Sequence, residues 1–157
     1  VGSFKSAMSN SKVGKFYSKI VDIKLKKFPI LGICLGSQIL CNIGFEAGNT
    51  KGFGFIDGKV GRINTNLRLP HIGWNNVSIT KNHKIFENLE KEFAAYFVHK
   101  YCIKVPNENQ TYAVTSYEET FPSIVINDNV IGMQFHPEKS QKNGLLLLKN
   151  FSELNVS

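Results

Sequence analysis

The segment PILGICLGSQIL, residues 29–40, carries a cysteine between two glycines, after an apolar run and before residues with helical character. A short, continuous apolar run is typical of a strand that is buried on both faces of a parallel sheet. We therefore predict a strand at PILGI, a tight turn at Cys34 and a helix across LGSQILCNIGF. Strand, turn and helix in that order form the basic unit of an α/β fold.

The turn around Cys34 has the pattern of a nucleophile elbow, with cysteine in place of serine. We expect glycine at positions 32 and 36 because side chains beside this tight, strained turn would collide with neighbouring strands. At the start of a helix, the free N–H groups and the helix dipole favour a thiolate, and the Leu35 N–H is the natural first donor to an oxyanion. A buried, inert cysteine fits the same pattern, and the elbow alone does not decide between them.

A nucleophilic cysteine needs a base, and the base needs a group that orients it. The segment QFHPEKS, residues 134–140, offers His136 and Glu138 two residues apart after an apolar strand. In an extended segment this spacing points both side chains to the same side, and Pro137 stiffens the pair. The other three histidines have no carboxylate at comparable spacing after a strand, so His136 is the candidate base.

The composition is that of one globular domain of ordinary size, with 157 residues, 42% hydrophobic and 20% charged. No apolar run approaches the roughly 20 residues that span a bilayer, and no signal peptide is evident, so we expect a cytoplasmic protein without a membrane partner. The three cysteines lack zinc-like spacing, which fits a reducing compartment and no bound metal. The net charge of +7 comes mostly from scattered lysines, so nucleic-acid binding is not expected.

The remainder of the chain extends the α/β prediction. Residues 14–27 have apolar side chains at helical spacing, and Phe28-Pro29 ends that helix. The second half contains β-rich segments separated by turn residues, including a hairpin around residues 127–129. The chain closes with a helix over residues 140–154, in which Gly144 is a weak point. We predict one α/β domain with a large antiparallel or mixed β portion.

The two motifs together resemble the class I, triad-type glutamine amidotransferases. GICLGSQ and QFHPEKS carry this resemblance, and four further segments are similar to the glutaminase subunits of imidazole glycerol phosphate synthases: KGFGFIDGKV (51–60), PHIGWNNV (70–77), YFVHKY (96–101) and NGLLLLKNF (143–151). The resemblance implies a flavodoxin-like α/β fold, with a mixed sheet flanked by helices, and a single amidotransferase domain over residues 1–157.

The resemblance also implies roles for individual residues. Cys34 would be the nucleophile, His136 the general base and acid, and Glu138 the carboxylate that orients the imidazole. No metal or organic cofactor is implied, and L-glutamine is the implied substrate. The positions that correspond to substrate contacts or oxyanion donors in this family are Gly2, Leu35, Gln38, Glu46, Lys100 and Tyr101.

The family further implies a partner, a (β/α)8-barrel cyclase with which the glutaminase forms a heterodimer. Ammonia would pass to this partner, which makes imidazole glycerol phosphate in histidine biosynthesis. The positions that face the cyclase in the family correspond to Pro70, His71, Gly73, Trp74, Asn75 and Lys139. Trp74 is the only tryptophan, and core packing explains it nearly as well as an interface.

The sequence departs from the family pattern in two places. Family members carry additional strands before this start, and residues 1–4 resemble the end of the family's Pro-Gly-Val-Gly loop, so we expect a domain that is partial at its N-terminus, with the first strands missing. Lys100 stands where a small hydroxyl residue is usual, which places a long cation beside the glutamine site.

Two alternatives stay open at the level of the sequence. Close relatives of this family supply ammonia for amino sugars of bacterial surface polysaccharides, and the residues alone do not separate the two branches. A chain that lacks the oxyanion strand could also be a non-catalytic subunit that binds the partner.

Overall fold

The computed structural model describes residues 2–105 and 108–154, with the side chains of all of these except residues 11–15. Within these residues the α-helices are Phe4–Ser9 (α1), Ser11–Leu25 (α2), Leu35–Ile39 (α3) and Gln141–Ser152 (α4). The strands are Ile30–Ile33 (β1), Cys41–Gly44 (β2), Thr50–Lys51 (β3), Ile56–Arg62 (β4), His71–Ile79 (β5), Glu92–His99 (β6), Tyr101–Lys104 (β7), Thr111–Tyr117 (β8), Glu119–Asn127 (β9) and Val130–Met133 (β10). Short 3-10 turns span Lys84–Phe86, Glu108–Gln110 and Pro137–Lys139.

The strands form two mixed sheets. The larger has the order β1-β10-β9-β8-β5-β6, and the smaller has the order β3-β2-β4-β7. In the larger sheet β1 pairs with β10 in parallel, while the other neighbours are antiparallel. Helices flank these sheets, which confirms the predicted mixed α/β architecture. The hairpin is also confirmed, since β9 and β10 are joined at Asp128, whose φ of 57° suits a tight turn.

The strand at PILGI is present as β1, but it is not buried on both faces. It is an outer strand of the six-stranded sheet, and three of its four residues are only half-buried. The apolar side chains of β1 are therefore only partly covered by the rest of the molecule. The prediction that this strand is buried on both faces was wrong.

The helix after Cys34 is much shorter than the sequence suggests. It ends at Ile39 after five residues, and the chain continues at once as β2. The Ile39 carbonyl accepts a hydrogen bond of 2.8 Å from the Phe53 N–H, and the Leu40 carbonyl accepts one of 2.8 Å from the Phe55 N–H. A longer helix would use these carbonyls for its own next turn, so pairing with a distant segment overrides the local helical preference.

Two apolar clusters stabilise this arrangement. The larger cluster lies where the six-stranded sheet packs against α4, and its most deeply buried members include Phe97, Phe121, Met133, Phe135 and Leu147. The smaller cluster joins α1 and the four-stranded sheet to β9 and β10, and it includes Phe4, Cys41, Ile56, Val60, Ile103 and Val130.

Gly144 is a required glycine of α4. A Cβ placed on it would lie 1.8 Å from the carbonyl oxygen of Pro137, in the 3-10 turn that precedes the helix. This close approach lets the helix pack directly on the turn that carries Glu138. Gly144 is unfavourable for the helix by propensity, and packing against Pro137 nevertheless requires glycine at this position.

His71 and His99 are buried together inside the sheet. Their side chains are 3% and 6% exposed, and Nδ1 of His71 lies 2.9 Å from Nε2 of His99. The His71 ring also stacks on Tyr117, with ring centroids 4.1 Å apart. Burial lowers the pKa of both imidazoles to about 4. His71 is therefore not a surface residue, which corrects the expectation that its side chain faces a partner.

Replacing Gly144 by alanine tests the packing of α4. Helix propensity alone would make Gly144→Ala stabilising by roughly 1 kcal/mol. We expect it to be destabilising, because the new methyl group collides with the Pro137 carbonyl and neither backbone can move cheaply. Gly36→Ala is the matched control, since a Cβ there has no heavy atom within 4 Å among the described residues. Thermal denaturation should show a lower Tm for Gly144→Ala and no such decrease for Gly36→Ala; a rise for both would contradict the packing.

The buried histidine pair should make stability depend on acid. The pKa of each imidazole is about 4 in the folded chain, against an ordinary 6.5, so between these values the unfolded chain binds protons that the folded chain does not. The contribution of the two imidazoles to the free energy of unfolding therefore has its full value above about pH 6.5, and it is lost as the pH is lowered toward 4. We expect His99→Asn to lower the Tm at pH 7 but to flatten its decline between pH 7 and 4.5. An equally steep decline in the variant would exclude His99 as a source.

Candidate active site

The backbone at Cys34 is strained into the shape of an elbow. Cys34 follows β1 with φ 50° and ψ −109°, and its N–H donates to the Met133 carbonyl over 2.7 Å. A Cβ on Gly32 would lie 2.6 Å from Leu40 Cδ1 and 2.7 Å from the backbone of Gly36, so Gly32 has to be glycine. Gly36 itself has open space around it. The expected crowding is thus correct for Gly32 and wrong for Gly36.

Burial disfavours ionisation of the Cys34 thiol. Its side chain is 7% exposed, and the S–H group donates to the Val98 carbonyl over 3.7 Å. Burial raises the pKa of this thiol, the Leu35 N–H hydrogen bond lowers it, and the charges of Glu138 and Lys139 raise and lower it respectively. The expectation that the helix start favours a thiolate is corrected, because burial outweighs the N–H groups of this five-residue helix. Ionisation needs a base.

A carboxylate holds the imidazole of His136. Nδ1 of His136 lies 2.6 Å from Oε1 of Glu138, while the His136 backbone N–H donates to the Tyr96 carbonyl over 2.9 Å. The pair bends around the 3-10 turn Pro137–Lys139, so it is not the extended segment that the sequence suggested. With Nδ1–H donating to Glu138, neutral His136 keeps Nε2 free as an acceptor, which is the tautomer that a general base requires.

The parallel pairing of β1 and β10 brings the two motifs to one edge of the sheet. Ile33 lies opposite Met133, so Cys34 and Gln134 leave neighbouring strands at the same end, and His136 follows two residues later. The influence of Glu138 on the pKa of Cys34 reflects the same proximity. Active sites of open α/β sheets characteristically lie at this carboxyl edge.

A cavity of about 330 Å³ opens beside Cys34. All six residues predicted to contact substrate line it, namely Gly2, Leu35, Gln38, Glu46, Lys100 and Tyr101. Val98, His99 and Pro70 complete the lining, so Pro70, which was expected at the partner surface, lies at this cavity. The structure thus gathers the predicted substrate residues around the thiol, and their contacts with a substrate stay a prediction.

The remaining residues predicted for the partner surface are divided between surface and interior. Trp74 is 50% exposed, and its ring meets that of Tyr96 at a centroid distance of 5.9 Å. Gly73 has φ 125° and open space, and Lys139 is exposed. Asn75 uses its amide within the chain, donating to the Ser116 carbonyl over 2.9 Å.

Sequence reasoning missed two polar residues of this region. Gln134 is 1% exposed, and its amide nitrogen lies 3.9 Å from Cys34 Sγ. His99 donates from Nδ1 to the Tyr101 carbonyl over 2.8 Å and lines the cavity. A signal for Gln134 was available, because it is a polar residue in the otherwise apolar run VIGMQF. Nothing local marks His99, whose partners come from other strands.

Residues 2–105 and 108–154 contain neither a metal-ligand cluster nor a membrane-spanning helix. No group of three or more histidine, cysteine or acidic side chains is placed to hold a metal ion in these ranges. Among the same residues, no helix has the length and apolar character needed to cross a bilayer.

Two solved structures share this fold. The chain superposes on PurLQS from Thermotoga maritima with a TM-score of 0.68 and 18% identity, covering 88% of this chain and 67% of that one. It also superposes on a glutamine amidotransferase from Thermotoga maritima, with a TM-score of 0.64 and 19% identity, covering 98% of this chain and 59% of that one. At this level of identity the likeness concerns the fold.

Sequence relatives are closer. The model of the class I glutamine amidotransferase family matches residues 6–153. The imidazole glycerol phosphate synthase subunit HisH of Methanocaldococcus jannaschii is 44% identical over 98% of this chain and 77% of that protein. The subunit of the same name from Pelagibacter ubique is 40% identical over 98% of this chain and 76% of that protein. The chain belongs to the class I glutamine amidotransferase family, among the HisH subunits of imidazole glycerol phosphate synthase.

Proposed function

We propose that this chain hydrolyses glutamine to glutamate and ammonia, with Cys34 as nucleophile, His136 as general base and acid, and Glu138 as the group that orients His136. The observation that carries the proposal is the meeting of a strained cysteine elbow and a carboxylate-bound imidazole at one sheet edge, beside a cavity. A cysteine that only fills space in the core does not require a strained backbone conformation, whereas a nucleophile on a tight turn does.

The reaction begins with a proton transfer. Because the resting S–H group points to the Val98 carbonyl, it first turns toward the imidazole, and Nε2 of His136 accepts its proton. The sulfur then attacks the side-chain amide carbon of glutamine, and the carbonyl oxygen becomes an oxyanion. In the resting structure the Leu35 N–H donates to the sulfur of Cys34. During the reaction this N–H stabilises the oxyanion, together with a second donor near Gly2.

Two further steps complete the reaction, namely loss of ammonia and hydrolysis of the resulting thioester. His136 returns its proton to the leaving nitrogen, and ammonia departs from a thioester on Cys34. Water attacks the thioester with His136 again acting as base, which releases glutamate and restores the thiol. Glu138 stabilises the imidazolium in both steps because its carboxylate lies on Nδ1.

The cavity has charges that complement an amino-acid substrate. Glu46 and Lys100 line the same space, so one carboxylate and one ammonium are available for the α-ammonium and α-carboxylate groups of glutamine. Oε2 of Glu46 is held by the Phe4 N–H over 2.8 Å, which orients the carboxylate. Gln38 lines the cavity beside Cys34 and completes the proposed substrate contacts.

We further propose that the ammonia passes to a (β/α)8-barrel cyclase, in a cytoplasmic heterodimer that makes imidazole glycerol phosphate for histidine biosynthesis. The relatives described above, which carry the name of that synthase, support this branch. The exposed residues Ile72 and Trp74 form an apolar surface with Tyr96 at the edge of the six-stranded sheet, and such a surface suits a partner.

Substituting the triad tests the glutaminase. We expect Cys34→Ala to lower glutamate release at least about a thousandfold, because Cys34 is the one cysteine among the described residues that line the cavity. His136→Ala should cost about 10²- to 10⁴-fold, and Glu138→Gln less, because that carboxylate is 47% exposed. Glutamate is measured with the purified chain, alone and with the cyclase.

The matched control is Cys102→Ala, which removes another buried cysteine from the larger core cluster. It should lower the Tm and keep the activity of the folded fraction. In a strain that lacks the glutaminase, the unsubstituted chain should restore growth without histidine, and Cys34→Ala should not. Undiminished glutamate release by Cys34→Ala would refute the assignment, and failed rescue by an active chain would refute the histidine branch.

The apolar surface makes a separate prediction about the partner. Trp74→Ala should weaken binding of the cyclase about tenfold or more, because a large aromatic side chain at the centre of an interface contributes much of its affinity. Leu145→Ala removes an apolar side chain of α4 that is 63% exposed and should leave the affinity unchanged. Titration calorimetry with purified cyclase measures both, and equal affinities for the two variants would place the interface elsewhere.

A further inference from the structure

Two buried glutamines connect the cavity wall to the nucleophile. The Gln38 amide donates to the Tyr101 carbonyl over 2.9 Å and to Oε1 of Gln134 over 3.1 Å. Because Oε1 of Gln134 accepts this bond, its Nε2 faces the other way, 3.9 Å from the sulfur of Cys34. The two side chains are 5% and 1% exposed, so water does not compete for these contacts.

The contact between Gln134 and Cys34 matters most when the sulfur is ionised. An N–H group at 3.9 Å interacts weakly with a neutral thiol, whereas hydrogen bonds to a charged acceptor are shorter and stronger. The neutral thiol meanwhile has its own acceptor in the Val98 carbonyl. The Gln134 amide therefore favours the thiolate over the thiol.

A pair of imidazoles fixes the other end of this network. Nδ1 of His99 can only donate to the Tyr101 carbonyl, so neutral His99 has Nε2 as an acceptor. Nδ1 of His71 then donates to His99, and Nε2 of His71 accepts from the Asn75 amide over 3.2 Å. Each group in the series has one consistent role, and every donor faces an acceptor.

We propose that Gln134 is a further catalytic residue, whose amide N–H stabilises the ionised sulfur of Cys34. Gln38 and His99 are positioning residues that fix the direction of this amide through the Tyr101 carbonyl. The role in turnover rests on the proposed glutaminase function, whereas the effect on the thiol does not depend on it.

The effect of the Gln134 amide on the ionisation of Cys34 has to be distinguished from the effect of the charged groups nearby. Glu138 and Lys139 act on the sulfur from the 3-10 turn. The other titratable groups around the cavity and the motif are Glu46, His99, Lys100, Tyr101 and His136. Substituting Gln134 changes none of these groups, so a shift in the behaviour of the thiol can be assigned to the amide.

The test uses Gln134→Met, which has similar length and volume but no N–H donor. Alkylation of Cys34 by iodoacetamide is followed against pH, with peptide mass spectrometry to distinguish it from Cys41 and Cys102, whose thiols have pKa values of about 12. We expect the midpoint of the rate to rise by about one pH unit and the rate at pH 7.5 to fall about tenfold. An unchanged midpoint would overturn the role of Gln134.

Two variants of His99 test the positioning. His99→Phe removes the donor to the Tyr101 carbonyl and should shift the midpoint in the same direction by less. His99→Asn should leave the alkylation midpoint at its value in the unsubstituted chain, because its amide nitrogen can take the place of Nδ1, even though the variant is less stable. If the asparagine and phenylalanine variants shift the midpoint equally, the positioning role of His99 is wrong.

A control separates this effect from loss of stability. Asn150 is 7% exposed and donates to the carbonyls of Ile85 and Glu87. Asn150→Ala should lower the Tm without moving the alkylation midpoint, and a shift equal to that of Gln134→Met would overturn the proposal. Glutamate release is measured in parallel: an inactive unsubstituted chain would refute the glutaminase function, while the alkylation profiles would still test the network.

Discussion

The parallel pairing of β1 with β10 is the interaction on which the candidate site depends. It joins segments 100 residues apart in the sequence, Ile33 opposite Met133, and the bond from the Cys34 N–H to the Met133 carbonyl continues it past the end of the strand. This pairing supports the elbow, places Gln134 beside the sulfur, and starts the turn that carries His136. A cysteine and a histidine from separate motifs share one environment because two short strands share hydrogen bonds, and any slip in their register would separate them.

Burial and reactivity are in opposition at Cys34. Enclosure among β1, β6 and α3 holds the sulfur in place but raises its pKa, and a five-residue helix offers little to counter this. The Leu35 N–H and the charge of Lys139 lower the pKa of this thiol in part, and we propose that the imidazole of His136 and the Gln134 amide do the rest when the substrate is attacked. A thiol that stays protonated until a base acts is also protected from adventitious oxidation, since the thiolate is the reactive form. The site thus relies on directed hydrogen bonds more than on a general electrostatic field.

The sequence predicted those features that are written within a few consecutive residues. The elbow at Cys34, the pairing of His136 with Glu138, the hairpin and the closing helix all have local signals, and the structure contains each of them. The features it could not predict depend on distant contacts. The strand β2 replaces a predicted helix because distant N–H groups take the carbonyls that end α3. The burial of His71 depends on which face of β5 turns inward, and a motif does not specify that.

Residues 71–75 were expected at an interface, but they are divided between the two faces of β5. Side chains alternate along a strand, so Ile72 and Trp74 point outward while His71 and Asn75 point toward the interior. The inward residues begin the hydrogen-bond series that ends at Gln134, and the outward residues form the apolar surface. A partner bound to that surface would therefore rest on the same backbone that holds the imidazole pair. The apolar surface and the nucleophile are thus connected through β5 and a series of six hydrogen bonds that runs from Asn75 to the sulfur of Cys34. Because the series has no branch at His99 among the described residues, replacing that one imidazole by phenylalanine would interrupt it.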